Sequence, residues 1–121
     1  MHRKGFVHRD IKTANVLVKN SRICLADLGL SIKLGPKSKT KQICSTLAYR
    51  SPEQHFKLQS GYDRAVDLWA LGCLLVELVC GRPLFFFIKS EREYSEWLVK
   101  LFGGSLSGCE AYRGSLGALE G

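Results

Sequence analysis

The sequence predicts a mainly α-helical fold carrying one small β-hairpin. Three observations carry that prediction. Residues 64–80 form a long apolar run bracketed by helix start and stop signals. Residues after Ser90 pair a helix-capping signal with apolar positions three and four apart. Two short β-type runs, Val16-Leu17-Val18 and Ile23-Cys24-Leu25, flank four residues of turn chemistry, Lys19-Asn20-Ser21-Arg22.

Before the hairpin, residues 6–15 mix apolar and charged types without helical period and read as an irregular loop. After it, residues 27–51 mix Gly35-Pro36, lysines, serines and threonines. A loop of that length in a compact domain is usually functional or mobile. Pro52 suits the first turn of a short helix over Pro52 to Lys57. Asp63 caps the long helix, and Gly81 and Pro83 stop it. That helix is apolar nearly all round, so it is expected to be buried on every side. Ser90 and Glu93 form a capping-box pair that opens a helix with Tyr94, Trp97, Leu98 and Leu101. It is expected to end at Gly103-Gly104. Residues 103–121 contain six glycines and little periodicity, and read as a disordered or loosely packed tail. The expected organisation is one domain over 1–102 and that tail over 103–121.

A chain of 121 residues with 45% apolar content has room for one modest core. Its net charge is +7, and Lys33, Lys37, Lys39 and Lys41 crowd one short stretch. The functional reading is a phosphate or nucleic-acid site. The plainer reading is a solvated basic loop, and it is preferred because no aromatic residue interleaves those lysines as a stacking platform. Nucleic acid is therefore not expected as a partner. The five cysteines form no CxxC pair and no zinc-like cluster with histidine, which suits buried thiols in a reducing setting. No apolar segment follows the basic start, so no secretory signal is expected. The apolar run Leu68 to Cys80 is too short to span a bilayer, so no membrane role is expected. An intracellular protein, cytoplasmic or nuclear, is the expectation.

Phosphoryl transfer asks a protein mainly for positioning and charge stabilisation. It needs a carboxylate beside the accepting hydroxyl, a cation for the moving phosphoryl group, and hard oxygen ligands for magnesium. The sequence supplies these in order. Asp10 is the carboxylate and Lys12, two residues on, is the cation. Asn15 and Asp27 are the oxygen ligands.

His8-Arg9-Asp10-Ile11-Lys12-Thr13-Ala14-Asn15, followed by Ala26-Asp27-Leu28-Gly29-Leu30, resembles the catalytic loop and the DFG segment of eukaryotic protein kinases. The likeness continues in register. Tyr49-Arg50-Ser51-Pro52-Glu53 resembles the A-P-E end of the activation segment. Asp67-Leu68-Trp69-Ala70-Leu71-Gly72 resembles the D-x-W-x-x-G of the large central helix, and Gly81-Arg82-Pro83-Leu84-Phe85 the turn after it. These signatures, in order, identify the chain as kinase-like over residues 1 to about 102, a fragment of the large, C-terminal lobe.

The resemblance implies the following roles. Asp10 is the catalytic base, Lys12 contacts the γ-phosphate of ATP, and Asn15 and Asp27 bind Mg²⁺. Thr46 hydrogen-bonds the catalytic aspartate and lysine. Leu17 floors the adenine pocket with Leu74 and Leu78 beneath it. Asp67 braces the backbone of the catalytic loop. Arg9 pairs with a phosphorylated residue of the activation loop, with Thr40 the best-placed candidate and Ser38 and Ser45 behind it. Lysine at position 12 is the serine/threonine pattern, and Thr46 to Glu53 is similar to the segment in cyclin-dependent kinases. A protein substrate and a regulatory protein are the implied partners.

The sequence also departs from the family. No glycine-rich phosphate loop, no lysine of the V-A-I-K type and no partner glutamate stand in these 121 residues. ATP would be held from one side only, so efficient kinase activity is not expected of this chain alone. The alternative expectation is a non-catalytic, kinase-like binding module. Glu53 would lack its arginine partner, which is costly for a buried carboxylate. Leu28 replaces the usual Phe of the DFG segment, and Phe85-Phe86-Phe87-Ile88 adds an exposed apolar hazard.

Overall fold

The structure, a computed structural model, describes residues 1–102. The expected tail, 103–121, lies outside the described residues. Among the described residues, four short strands pair into two separate antiparallel ribbons, and three α-helices follow.

The hairpin falls where the sequence puts it. Strands β2 (Val16–Lys19) and β3 (Arg22–Leu25) pair with Lys19 opposite Arg22 and Val16 opposite Leu25. The two turn residues, Asn20 and Ser21, both take positive φ, 49° and 59°. That geometry matches the twist of a two-residue hairpin.

The second ribbon was not legible in the sequence. Strand β1 (Phe6–Val7) pairs with β4 (Ile32–Lys33), inside stretches read as loop. Strands of two residues show no alternation for a pattern to catch. The ribbon is extended by the amide of Leu34, which donates to the Gly5 carbonyl at 2.7 Å. It ties the start of the chain to the long segment after Asp27.

Helix α1 (Pro52–His55) is shorter than expected and has Pro at its first position. Helix α2 (Ala65–Cys80) begins after Arg64, with the Asp63 carboxylate accepting the Ala65 amide at 2.8 Å. It ends on Gly81 in the left-handed conformation, φ 73°. Helix α3 (Glu91–Leu101) is capped by Ser90, whose hydroxyl accepts the Glu93 amide at 3.1 Å. The Glu93 carboxylate reaches back to the Lys89 amide, one residue before the cap.

Two apolar clusters hold these elements together. The larger joins Tyr49, Phe56, Ala70, Cys73, Leu74, Phe85, Tyr94 and Leu98. The smaller joins Val7, Tyr62 and Val66 under the β1–β4 ribbon. Helix α2 contributes to both, and is the element on which the others pack.

Burial of α2 on every side is corrected by the structure. Leu68, Leu71, Leu75, Leu78 and Val79 are exposed, Val79 by 87%. Their spacing puts most of them on one stripe of the helix, opposite the stripe carrying Val66, Ala70, Cys73 and Leu74. The aromatic run after α2 splits in the same way. Phe85 is buried and stacks edge-on with Tyr94, whereas Phe86 and Phe87 are exposed. Among the described residues, Cys24, Cys44, Cys73 and Cys80 are free thiols, and only Cys73 is buried. No helix among the described residues is long and apolar enough to cross a membrane.

Candidate active site

The segment 8–15 is held open and irregular by contacts from outside it. Asp67, buried in the first turn of α2, accepts the amides of His8 at 2.8 Å and Arg9 at 2.9 Å, one on each carboxylate oxygen. Arg9 sits at φ 70°, a left-handed conformation disfavoured for a side chain with a Cβ. The two hydrogen bonds to Asp67 offset that cost. His2 adds a contact to the same carboxylate at 2.7 Å.

His8 is fully buried and joins two loops. Its Nδ1 accepts the Asp10 amide at 3.1 Å, so its Nε2 carries the proton and donates to the Ala26 carbonyl at 2.9 Å. The ring thus spans from the Asp10 loop to the residue before Asp27.

Four of the residues singled out by sequence converge. The Lys12 ammonium donates to the Thr46 hydroxyl at 3.1 Å, and that hydroxyl donates to the Asp10 carboxylate at 3.2 Å. The ammonium also lies 3.8 Å from the other Asp10 oxygen. The Asn15 amide nitrogen donates to the Asp10 carbonyl at 2.8 Å and to its carboxylate at 3.1 Å. Asp10 is therefore oriented from three directions.

Asp27 is placed by the hairpin. The register puts Asn15 and Ala26 just beyond the paired ends Val16 and Leu25. The Ala26 amide donates to the Asn15 carbonyl at 2.7 Å, continuing the ribbon by one step. Asp27 itself is exposed, with φ 56°, and its carboxylate accepts the Gly29 amide at 3.2 Å. Asn15 spends its nitrogen on Asp10, which leaves its carbonyl oxygen for a hard cation. One amide oxygen and one exposed carboxylate from adjoining positions suit magnesium, which takes few protein oxygens and completes its shell with phosphate and water. The donor set fits that ion.

Leu17, Leu74 and Leu78 are not buried together. Leu74 lies in the large core cluster, while Leu17 and Leu78 are 55% and 65% exposed. Leu17 points to the face of the hairpin opposite Val16, which packs on the core.

Arg9 and Thr40 are brought near without touching. The Arg9 side chain is buried and donates to the Leu30 carbonyl, the Gln42 side-chain oxygen and the Tyr62 hydroxyl. Thr40 pairs through its backbone with Tyr62, N–H to carbonyl in both directions at 2.9 Å. Its hydroxyl accepts the Gln42 amide at 3.3 Å. Gln42 and Tyr62 thus stand between the two residues. Neither was singled out from the sequence, where a Gln in a basic loop carries no signal.

One further cluster was missed. Glu77, an acid in the otherwise apolar second half of α2, takes the Thr13 hydroxyl at 3.0 Å on one oxygen and the Tyr49 hydroxyl on the other. Burial, and behind it Glu77, raises the Tyr49 pKa above its ordinary value. Glu53 is half-buried, and no ion pair to it occurs among the described residues.

The fold and this cluster of an oriented carboxylate, a lysine and two magnesium-type oxygens define the class. The sequence pattern described as "Protein kinase domain" matches residues 1–104. The chain belongs to the protein kinase family. It is 44% identical over 86 residues to an Aurora kinase of Saccharomyces cerevisiae, covering 70% of this chain and 23% of the relative. It is 42% identical over 86 residues to a cyclin-dependent kinase 4 homolog of Caenorhabditis elegans, covering 70% and 21%. It is 45% identical over 86 residues to a cGMP-dependent protein kinase of Caenorhabditis briggsae, covering 70% and 11%. The chain spans about a quarter or less of these relatives' lengths. The cyclin-dependent-kinase likeness is one of several, since Aurora and cGMP-dependent kinases match as well.

Proposed function

We propose that these residues supply the catalytic-loop side of a serine/threonine protein kinase, part of its large lobe, for ATP-dependent phosphoryl transfer to protein hydroxyls. The observation that carries this reading is the Asp10 carboxylate held by Thr46 and Asn15, with the Lys12 ammonium 3.8 Å away. Asp10 accepts the proton of the attacking hydroxyl. Lys12 neutralises charge on the transferred group, and Thr46 keeps Lys12 and Asp10 in one geometry. Asn15 and Asp27 hold the metal. Magnesium held by these two oxygens would supply positive charge to offset that of the phosphate groups. Leu17, exposed on the hairpin, offers an apolar surface to the adenine.

Phosphorylation of Thr40 belongs to the same proposal. A phosphate there competes with Gln42 for the Arg9 guanidinium and reorders the segment between Leu30 and Thr46. A regulatory protein and an intracellular setting with reduced thiols accompany this reading.

The 121 residues contain no glycine-rich loop and no second lysine strand to close over ATP, so the chain alone is proposed to be inactive. Transfer of label from ATP to a protein substrate tests this. The isolated chain is expected to match its Asp10→Asn variant. A chain extended upstream by a phosphate loop and its lysine is expected to gain transfer, and to lose about a hundredfold or more on Asp10→Asn. Robust turnover by the isolated chain, abolished by Asp10→Asn, overturns the inactivity.

A non-catalytic binding module is the second reading, favoured by the exposed apolar stripe on α2. Protein capture that survives Asp10→Asn, with no transfer in the extended chain, supports it.

A further inference from the structure

The charge of this chain is unevenly distributed. Residues 1–64 carry thirteen Lys and Arg against four Asp and Glu, and residues 65–121 carry five against seven. All of the +7 excess therefore lies in the first 64 residues. Part of that charge is spent internally. Arg9 is buried on carbonyl, amide and hydroxyl oxygens, and Lys12 and Arg50 each hold an acidic partner.

Ten bases of this half remain, and four of them, Lys4, Lys33, Lys37 and Arg64, lie on or beside the residues lining one cleft. Its walls come from three places in the chain: Gly5 and Phe6 before and in β1, the turn from Gly35 to Ser38, and the Asp63-Arg64 step before α2. The pairing of Phe6 with Lys33 and the Leu34 amide bond to Gly5 bring the first two walls together. The turn is closed by the Ser38 amide on the Gly35 carbonyl at 3.0 Å. The cleft has a volume of about 160 Å³.

Arg64 lines it directly, and Lys4, Lys33 and Lys37 sit on residues next to its walls. All four are exposed, and no ion pair to any of them occurs among the described residues. The one acid among the described lining residues, Asp63, has a carboxylate oxygen committed to the Ala65 amide. Ser38 adds a hydroxyl to the lining, and Phe6, 40% exposed, adds an apolar wall.

We propose that this cleft binds a phosphorylated peptide segment, with the phosphate among Arg64, Lys37 and Ser38 and an apolar neighbour on Phe6. Arginine and lysine around a small pocket suit a phosphomonoester, which takes several charge-assisted hydrogen bonds. The size admits one such group rather than a run of nucleotides. The lysines carry no interleaved aromatic residues on which successive bases could stack, which disfavours a single-stranded nucleic acid. The site lies apart from Asp10 and Asp27, and no residue of the candidate active site lines it. It does not depend on the chain being catalytic.

Fluorescence polarisation on the whole 121-residue chain tests this, using a labelled peptide containing Leu-phosphoserine-Glu and its unphosphorylated twin. The phosphorylated form is expected to bind about tenfold tighter or more, and the double variant Lys37→Ala/Arg64→Ala to remove that advantage. The double variant Lys19→Ala/Arg22→Ala makes the same change of charge on the distant hairpin and is expected to keep it. Circular dichroism of both variants checks that the fold is retained. Equal loss in both variants would show general charge attraction and overturn the site. Inorganic phosphate displacing the peptide at equal concentration would identify a free-anion site and overturn the peptide assignment. An oligonucleotide bound as tightly, with the same sensitivity to Lys37 and Arg64, would overturn it in favour of nucleic acid.

Discussion

Tyr49 and Glu77 meet through a hydroxyl-to-carboxylate hydrogen bond that joins the segment before α1 to the last turn of α2. Thr13, three residues beyond Asp10, closes the same cluster on the other carboxylate oxygen. An acid in an apolar helix is thereby given two donors. Removing one donor leaves the carboxylate half satisfied. Tyr49→Phe is expected to cost about 1.5–3 kcal/mol, the range for a hydrogen bond to a charged group. Thr13→Val and Tyr49→Phe should couple rather than add, since both act on Glu77. Urea unfolding of the two single variants and the double variant measures this.

Asp67→Ala leaves two buried amides, those of His8 and Arg9, without an acceptor. Each orphaned donor costs roughly 1–3 kcal/mol. Arg9 also loses what offsets its positive φ. The variant is expected to be among the least stable single substitutions in the chain. Asp67→Asn keeps one acceptor and should fall between it and the parent. Thermal melts of the three chains give the order, and a wild-type-like Asp67→Ala contradicts the bracing role.

Glycines 61 and 72 should respond to alanine in opposite directions. Gly61 has φ 74°, and a Cβ there would come within 2.7 Å of the Thr40 carbonyl oxygen. Gly61→Ala is expected to break the Thr40–Tyr62 pairing and expose Lys39 and Lys41 to trypsin. Gly72 lies mid-helix in α2 with no atom of the described residues within 4 Å of an added Cβ. Gly72→Ala is expected to stabilise the chain by up to about 1 kcal/mol.

Stability should fall at both ends of the pH range for separate reasons. Burial, and then the nearby Arg50 guanidinium, holds His55 below its ordinary value; Lys57 acts in the same direction and Glu91 opposes it. Its Nε2 meets Ser95, whose own hydroxyl donates to Glu91, and its buried Nδ1 has no partner among the described residues. The folded state thus favours neutral His55. Its contribution is complete above the unfolded value, about 6.5, and is lost as pH falls through the lower folded value. His55→Phe is expected to flatten the loss between about pH 7 and 5. At the alkaline end, burial raises Tyr94 and Tyr49 above their ordinary value and Cys73 to about 11. Groups raised in the fold stabilise it below their unfolded values and lose that effect above them. Unfolding midpoints measured against pH, with Tyr94→Phe as the comparison, test the second limb.

The sequence was most informative where local chemistry decides the outcome. The hairpin, the α2 boundaries and the Ser90 cap follow from turn and capping residues that act within four or five positions. Asp10, Lys12, Asn15 and Thr46 could be named because their spacing resembles a known pattern, and the structure brings them together. The β1–β4 ribbon was hidden because two-residue strands have no period. Gln42, Tyr62 and Glu77 were hidden because their roles depend on partners 20 to 64 positions away, as the Gln42–Tyr62, Arg9–Tyr62 and Thr13–Glu77 separations of 20, 53 and 64 illustrate. Burial of α2 was over-read for a related reason: hydrophobicity states which faces seek cover, and only the fold states which receive it.

The uncovered stripe of α2 changes how a common laboratory stain should be interpreted. Dyes such as anilinonaphthalene sulfonate brighten on exposed apolar surface, and that signal usually marks a molten, loosely packed state. Here Leu68, Leu71, Leu75 and Leu78 offer such a surface on a helix whose other side is packed. The folded chain is expected to brighten the dye while keeping its near-ultraviolet circular dichroism. Fluorescence alone would then misreport an ordered protein as a collapsed intermediate.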